Sequence, residues 1–471
     1  MNLKKALQVL SSHPSLRKYY LDGWMILKVG EEIAPQLFRY YAIDRQHQLG
    51  QGSYGRVYKA YKMDEEGNID ATNPMVAKEF KNPKSDGKLA DTELKALRRF
   101  SDSEGALYPI NDKIYLFSTF LPGKNLENSL HEIAHLDLFE RINLICQLLL
   151  QLNHLHHHTN YGSPLLHGDL KTTNVMFSAG KQEPNGRIIP NQCTLIDFGL
   201  SMLNIDDASQ LKPHPHIPPN IEINTMYFSP ETLDGQFGLK VDIFMLVNVI
   251  AQLLGQPDPS QNKANALQDQ ESTFLEKKVR KKIAAMPFSI SNLVDFPEIH
   301  GDNSLKALTI QFINHMQHPN YHDRPDSDAA LQFFSTLRNL YKSPADIKDE
   351  SFSTAKTKLL IYANGLWPRP EKELATLLRK MNSKNLKTIT QAVTHDPQQY
   401  SHLKLQLFIL NYKKACRFSF FGNVGRSQFG KKVFRGELQD LNEVNAYVRT
   451  FQARTAAHVF QKLESTSSRI R

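Results

Sequence analysis

Apolar positions along this chain follow two different periods, and the change falls near residue 120. Residues 1 to 40 begin with a helical pattern and pass into Trp24-Met25-Ile26-Leu27, which fits a strand. From about 45 to 120 the pattern is strand-rich, with one helix expected over Leu89 to Phe100. That helix carries Leu94, Leu97 and Phe100 on one face and charges on the other. From about 126 to 340 helical spacing dominates. Phe139 to His156 is strongly periodic, whereas Val241 to Leu254 is apolar nearly all round, as a helix buried in a domain centre would be. The Pro- and His-rich stretch Lys212 to Pro219 breaks this region. Residues 344 to 471 are helical again, with Leu374, Leu377, Leu378 and Met381 and then Leu403, Leu405, Leu407, Phe408 and Leu410 on apolar faces. Trp367-Pro368-Arg369-Pro370 and Gly422 to Gly430 interrupt them.

At 471 residues the chain is too long for one ordinary core, so two or three folding units are expected. Charge sharpens the division. After Ser343 there are 22 basic and 10 acidic residues, a net +12, within a chain whose total is +9. A boundary near 343 follows, with a basic C-terminal region able to meet a protein partner or an anionic surface. A merely solvated basic face is the plainer account of the same residues. Arg417-Phe418-Ser419-Phe420-Phe421, with Lys431 and Lys432 nearby, fits a core segment and a basic loop better than a nucleic-acid surface. Cys146, Cys193 and Cys416 lie far apart and read as reduced thiols. The opening MNLKKALQVLSS has too short an apolar run for a secretory signal. Asn248 and Gln252 interrupt the longest apolar stretch, so a transmembrane segment is not expected and a soluble, cytoplasmic protein is.

Three motifs carry chemistry. Gly50-Gln51-Gly52-Ser53-Tyr54-Gly55-Arg56-Val57 spaces glycines so that backbone N–H groups can approach phosphate oxygens. Strand-like residues on both sides make it a hairpin; a dinucleotide site would need a helix after the third glycine. Next, Val76-Ala77-Lys78 ends a strand and Glu93 follows on the amphipathic helix, a lysine for phosphate charge and a carboxylate to hold it. The third is His167-Gly168-Asp169-Leu170-Lys171-Thr172-Thr173-Asn174, followed by Leu195-Ile196-Asp197-Phe198-Gly199. Phosphoryl transfer needs a proton acceptor, a cation near the γ-phosphate and oxygen ligands for Mg²⁺. Asp169 suits the first role, Lys171 the second, and Asn174 with Asp197 the third.

With these motifs in this order, residues from about 45 to 340 resemble a eukaryotic-type Ser/Thr protein kinase domain. The resemblance implies an α+β, bilobal fold: a β-rich N-lobe over about 45–120 and a helical C-lobe over about 121–342. An N-terminal extension, 1–44, and a basic helical domain, 343–471, would flank it. ATP and Mg²⁺ are the implied cofactors, with protein as substrate. Further carry-over makes Ser118 the gatekeeper and Thr119 to Leu121 the hinge, with Val57, Val76 and Met176 around adenine. Leu97, His167 and Phe198 would stack together. Ser229-Pro230-Glu231 resembles the APE motif, and Arg324 would pair with Glu231 in a buried, structural ion pair. Asp242 corresponds to the aspartate that opens the buried central helix. Lys171, two residues after Asp169, favours Ser/Thr over Tyr substrates by the same resemblance.

Two departures stand out. Gly168 replaces the arginine usual before the catalytic aspartate, so a phosphate on the following loop has no evident receptor there. His-Gly-Asp also occurs in small-molecule phosphotransferases, which leaves a kinase-fold transferase of another class as the rival enzyme. A pseudokinase scaffold is the non-enzymatic rival, weakened by the intact Lys78, Glu93, Asp169, Asn174 and Asp197. Thr225 is the candidate to bridge Asp169 and Lys171, although the run from it to Glu231 is one residue short of the family pattern. His154 and His156 to His158 at a helix end could suggest a metal, but a helix C-terminus favours imidazolium anyway. A kinase domain joined to an unfamiliar tail also resembles the effector kinases that intracellular bacteria secrete into host cells.

Overall fold

Alternating side chains build a seven-stranded antiparallel sheet in the computed structural model of the chain. Its strands are β1 (Lys18–Leu21), β2 (Trp24–Gly30), β3 (Phe38–Gln51), β4 (Gly55–Met63), β5 (Met75–Phe80), β6 (Ala106–Ile110) and β7 (Lys113–Thr119). They lie in the order β1-β2-β3-β4-β5-β7-β6. The structure describes residues 3–13, 15–30, 38–51, 55–81, 83–100, 105–157, 164–184, 186–203, 205, 210–215, 226–268, 277–396, 398–404, 406, 407 and 410. The expectations for Gly52 and Thr225, for His158, and for Cys416 and the Arg417–Phe421 and Gly422–Gly430 stretches lie outside these residues.

The strand read at Trp24 is β2, and it joins the same sheet as the glycine-rich hairpin. Met25, Leu27 and Val29 pack with Tyr41, Ile43, Tyr58, Ala60, Ala77, Tyr115 and Phe117 in one core. Trp24 and Ile26 point the other way, with Tyr40 and Ala42, onto Leu3, Ala6, Leu7 and Leu10 at helix α1 (Lys4–Ser12). Both faces of β2 are therefore buried. Helix α2 (Pro83–Phe100) starts earlier than the expected Leu89, because Pro83 suits a first helical position and Asp86 complements the N-terminal dipole. Its Ala90 and Leu94 pack on Phe80, Ile114 and Leu116.

Helices dominate after the sheet. Leu138–His157 and Leu239–Leu253 match the two periodic stretches, and the second buries nearly every residue, Asp242 included. Chain contacts divide the protein into two compact units, Met1–Asp295 with Met316–Arg338, and Phe296–His315 with residues from Asn339 on. In the second unit, helices Asp349–Ala363, Glu371–Lys380 and Ser383–His395 share a core of Ile361, Leu374, Leu378, Leu386, Ile389 and Val393. Tyr400, Leu403 and Leu407 complete it. Trp367 is fully buried, with its ring 6.1 Å from Phe312 and 5.4 Å from His315. The helix bearing those two residues, Leu305–Met316, thus packs against Trp367 of the basic tail.

Candidate active site

Strand pairing brings the first two motifs together. Gly50 faces Val57 and Gln51 faces Arg56, so β3 and β4 form the hairpin that the glycines required. A Cβ on Gly55 would lie 2.5 Å from the Glu79 carbonyl oxygen, which leaves that position to glycine. Lys78 on β5 pairs with Val57 on one side and Leu116 on the other. Its ammonium donates to Glu93 Oε1 at 2.9 Å and Oε2 at 2.8 Å, and to Asp197 Oδ1 at 2.8 Å. One cation therefore serves two carboxylates. Burial pushes the Glu93 carboxyl up to about 7, against the pull of Lys78 and with the help of Asp197. Desolvation disfavours the Lys78 ammonium too, but Asp197 and Glu93 outweigh it and raise its pKa. For Asp197 the cost of desolvation is overcome chiefly by Lys78, which holds the carboxyl below its ordinary range.

Around Asp169 the third motif closes on itself. Lys171 Nζ donates to Asp169 Oδ2 at 2.8 Å, and Asn174 Nδ2 donates to the same oxygen at 2.9 Å and to the Asp169 carbonyl at 2.8 Å. With its nitrogen so engaged, Asn174 has its side-chain oxygen to offer a cation. Asp197 adopts φ 61°, a left-handed conformation that costs a non-glycine residue about 1–3 kcal/mol and is found chiefly at functional sites. Val57, Val76, Leu121 and Met176 are half-buried and Thr119, at the end of β7, is exposed. From α2 the ring of Phe100 meets that of Phe198 at 5.1 Å, and His167 meets Phe198 at 4.9 Å, both pairs tilted. Leu97 packs against the Phe80 and Leu116 cluster.

Beneath the loop, Asp242 does work the motifs alone do not reveal. Its carboxylate accepts the backbone N–H of His167 at 2.8 Å and of Gly168 at 2.9 Å. His156 Nε2 meets the same carboxylate at 3.0 Å, which accounts for this member of the histidine run without a metal. A signal was present: His156 lies four and seven residues after Leu152 and Leu149, on the buried face of its helix. Gly168 has φ 81°, and a Cβ there would stand 2.3 Å from the Leu200 carbonyl oxygen. Backbone conformation and space both exclude the arginine usual at this position. Arg324, fully buried, holds Glu231 by two hydrogen bonds of 2.6 and 2.9 Å, the ion pair expected between them. It also donates to the carbonyls of His318, Pro319 and Lys240.

Comparison with known proteins agrees with this geometry. Residues 43–334 match the protein kinase domain. The chain is 28% identical over 222 residues to mitogen-activated protein kinase 15 of Caenorhabditis elegans, covering 45% of this chain and 43% of that protein. It is 24% identical over 251 residues to receptor-interacting serine/threonine-protein kinase 2 of Bos taurus, covering 51% of this chain and 44% of the relative. The chain thus spans less than half the length of these curated relatives. A glycine hairpin, a lysine clamped between two carboxylates and a matching domain over most of the chain lead to one conclusion: this protein belongs to the protein kinase family.

Proposed function

We propose that the protein transfers the γ-phosphate of ATP to Ser or Thr hydroxyls of protein substrates. The observation that carries this is Lys78, held at once by Glu93 on α2 and by Asp197. That clamp sets a cation where α- and β-phosphate charge must be met, with Glu93 fixing its direction. Gly50, Gly52 and Gly55 would cover the phosphates with backbone N–H groups. Val57, Val76 and Met176 would sandwich adenine, with Thr119 and Leu121 at its edge.

The donor set fits a magnesium nucleotide, since Asn174 and Asp197 offer two side-chain oxygens and Mg²⁺ keeps water and phosphate for the rest of its shell. Mg²⁺ when bound would neutralise charge developing on the phosphate oxygens. Asp169 orients the substrate hydroxyl and accepts its proton, while Lys171, 2.8 Å from Asp169, places positive charge beside the transferred group. Residues 45–342 form the catalytic domain, following 1–44, in this proposal. The basic region 343–471 recruits a protein partner or anionic surface, by contacts that weaken as salt rises. Incubation with labelled ATP, Mg²⁺ and generic basic proteins, followed by phosphosite mapping, tests the activity. Label on Ser and Thr is the expected result; label on a small molecule alone, or none, overturns it.

A further inference from the structure

The Leu200 carbonyl oxygen is where three parts of the chain meet. The catalytic loop touches it through Gly168, whose missing side chain leaves the room that this oxygen occupies. His214 reaches it from further along the chain, with Nε2 3.1 Å from the oxygen. A carbonyl can only accept, so Nε2 carries the proton. The imidazole is 5% exposed and its ring lies 4.9 Å from that of the fully buried Phe237.

Both ends of the segment after Asp197 are tied down around this bond. At the near end Ser201 Oγ donates to the His167 carbonyl at 3.2 Å, and Met202 and Leu203 pair with Leu166 and Leu165. At the far end Lys212 and Pro213 pair with Phe237 and Gln236, and the His214 N–H donates to Gly235 at 3.0 Å. Glu231, held by Arg324, lies four residues before Gly235. Among the described residues, the His214 side chain joins the two ends.

We propose that His214 is a positioning residue that clasps the segment following Asp197 against the catalytic loop, so that its working arrangement needs no phosphate on that segment. This rests on the kinase reading. Where a phosphorylated loop is held through charge, a phosphate needs a cationic receptor, and a guanidinium is the one that meets it with two hydrogen bonds. At Gly168 the space for one is filled by Leu200, and the donor to Leu200 is an imidazole from the segment itself. An imidazole N–H buried beside Phe237 needs no modification to form its bond.

The test uses phosphatase-treated full-length protein and compares wild type with His214→Ala and His214→Gln. Three quantities are read: kcat, KM for ATP, and the rate of limited proteolysis between residues 198 and 215. His214→Ala should lower kcat at least about tenfold with KM for ATP within about twofold, and should speed cleavage. His214→Gln, whose amide can donate to the same carbonyl, should recover most of the lost kcat and protection. Wild-type kcat and cleavage in His214→Ala overturn the clasp, as does a folded His214→Gln no better than His214→Ala. If His214→Ala loses its cooperative thermal transition, His214→Gln against wild type decides. A wild type inactive on every substrate defeats the kinase reading instead, and the cleavage rates still judge the clasp.

Discussion

Lys263 Nζ donates to the carbonyl oxygen of Ala284 across 3.0 Å, from a side chain with no exposed surface. It also stands 4.0 Å from the centre of the Phe288 ring and 4.9 Å from that of Phe244, whose ring Arg324 shares at 4.8 Å. A lysine among rings stitches helix Gln261–Gln268 to the end of helix Lys277–Ala284. Burial first, and then repulsion from Arg324, push its pKa down to about 7.

A stability prediction follows with a definite sign. Unfolded lysine titrates near 10.4, so between pH 7 and that value the unfolded chain binds the extra proton and folding gains as pH rises. Replacing Lys263 by Met removes the buried charge and keeps most of the volume. The thermal midpoint of Lys263→Met should therefore exceed wild type most at pH 6, with the difference shrinking toward pH 10. Midpoints measured for both proteins across that range check it, and a difference independent of pH would refute it.

Lys78→Met and Asp197→Ala should each reduce phosphotransfer to background while leaving the far-ultraviolet dichroism near wild type. Both side chains sit in the cleft and meet each other at 2.8 Å, outside the apolar clusters of the sheet. Turnover like wild type in either variant, at saturating Mg·ATP, sinks the assignment of that residue.

Glu93 makes a pH prediction in the opposite sense for stability and for activity. Its carboxyl sits at about 7 when folded, well above the unfolded value, so its contribution to stability is full below about pH 4.5 and is lost as pH rises through 7. The clamp on Lys78, in contrast, needs the ionised form. We expect kcat/KM for ATP to fall as pH drops below about 7, and Glu93→Gln to remove that low-pH limb from a lower baseline. Profiles of kcat/KM between pH 5.5 and 8.5 decide it.

Truncation after Tyr341 takes away Trp367, whose ring meets Phe312, and the helices around Leu374 and Ile389, which lie in one compact unit with residues 296–315. Loss of a buried aromatic of this size alone costs about 3–5 kcal/mol. The truncated protein should accordingly melt several degrees lower, and an unchanged midpoint would show that the tail folds independently of residues 296–315.

What the sequence made legible is the set of groups that chemistry forces into a fixed pattern. Lys78, Glu93, Asp169, Asn174 and Asp197 stand at spacings that survive any packing, and the structure brings them into two linked clusters. Features set by distant neighbours were not legible in this way. Lys263 sits in the polar run Gln261-Asn262-Lys263-Ala264-Asn265, with no local sign that Phe244 and Phe288 enclose it. Phe100 also comes within 5.1 Å of the Phe198 ring, a contact set by how α2 lies against its neighbours and not by any local pattern. Residues before 45 read as an extension by position, yet the pairing of Trp24 with Asp44 and of Ile26 with Ala42 makes two of their segments strands of the same sheet.

That last pairing sets where the protein can be cut. The family match begins at residue 43, and a fragment started there would lose α1, β1, β2 and the first five residues of β3. What remains of β3 would become a bare edge where β2 had paired, with Tyr58 and Ala60 stripped of Met25, Leu27 and Tyr41 on the sheet's face. Unpaired N–H and C=O groups beside newly open apolar surface are a template for edge-to-edge aggregation. Insolubility of such a fragment would be a property of the cut, and would say nothing about whether the catalytic cleft is sound.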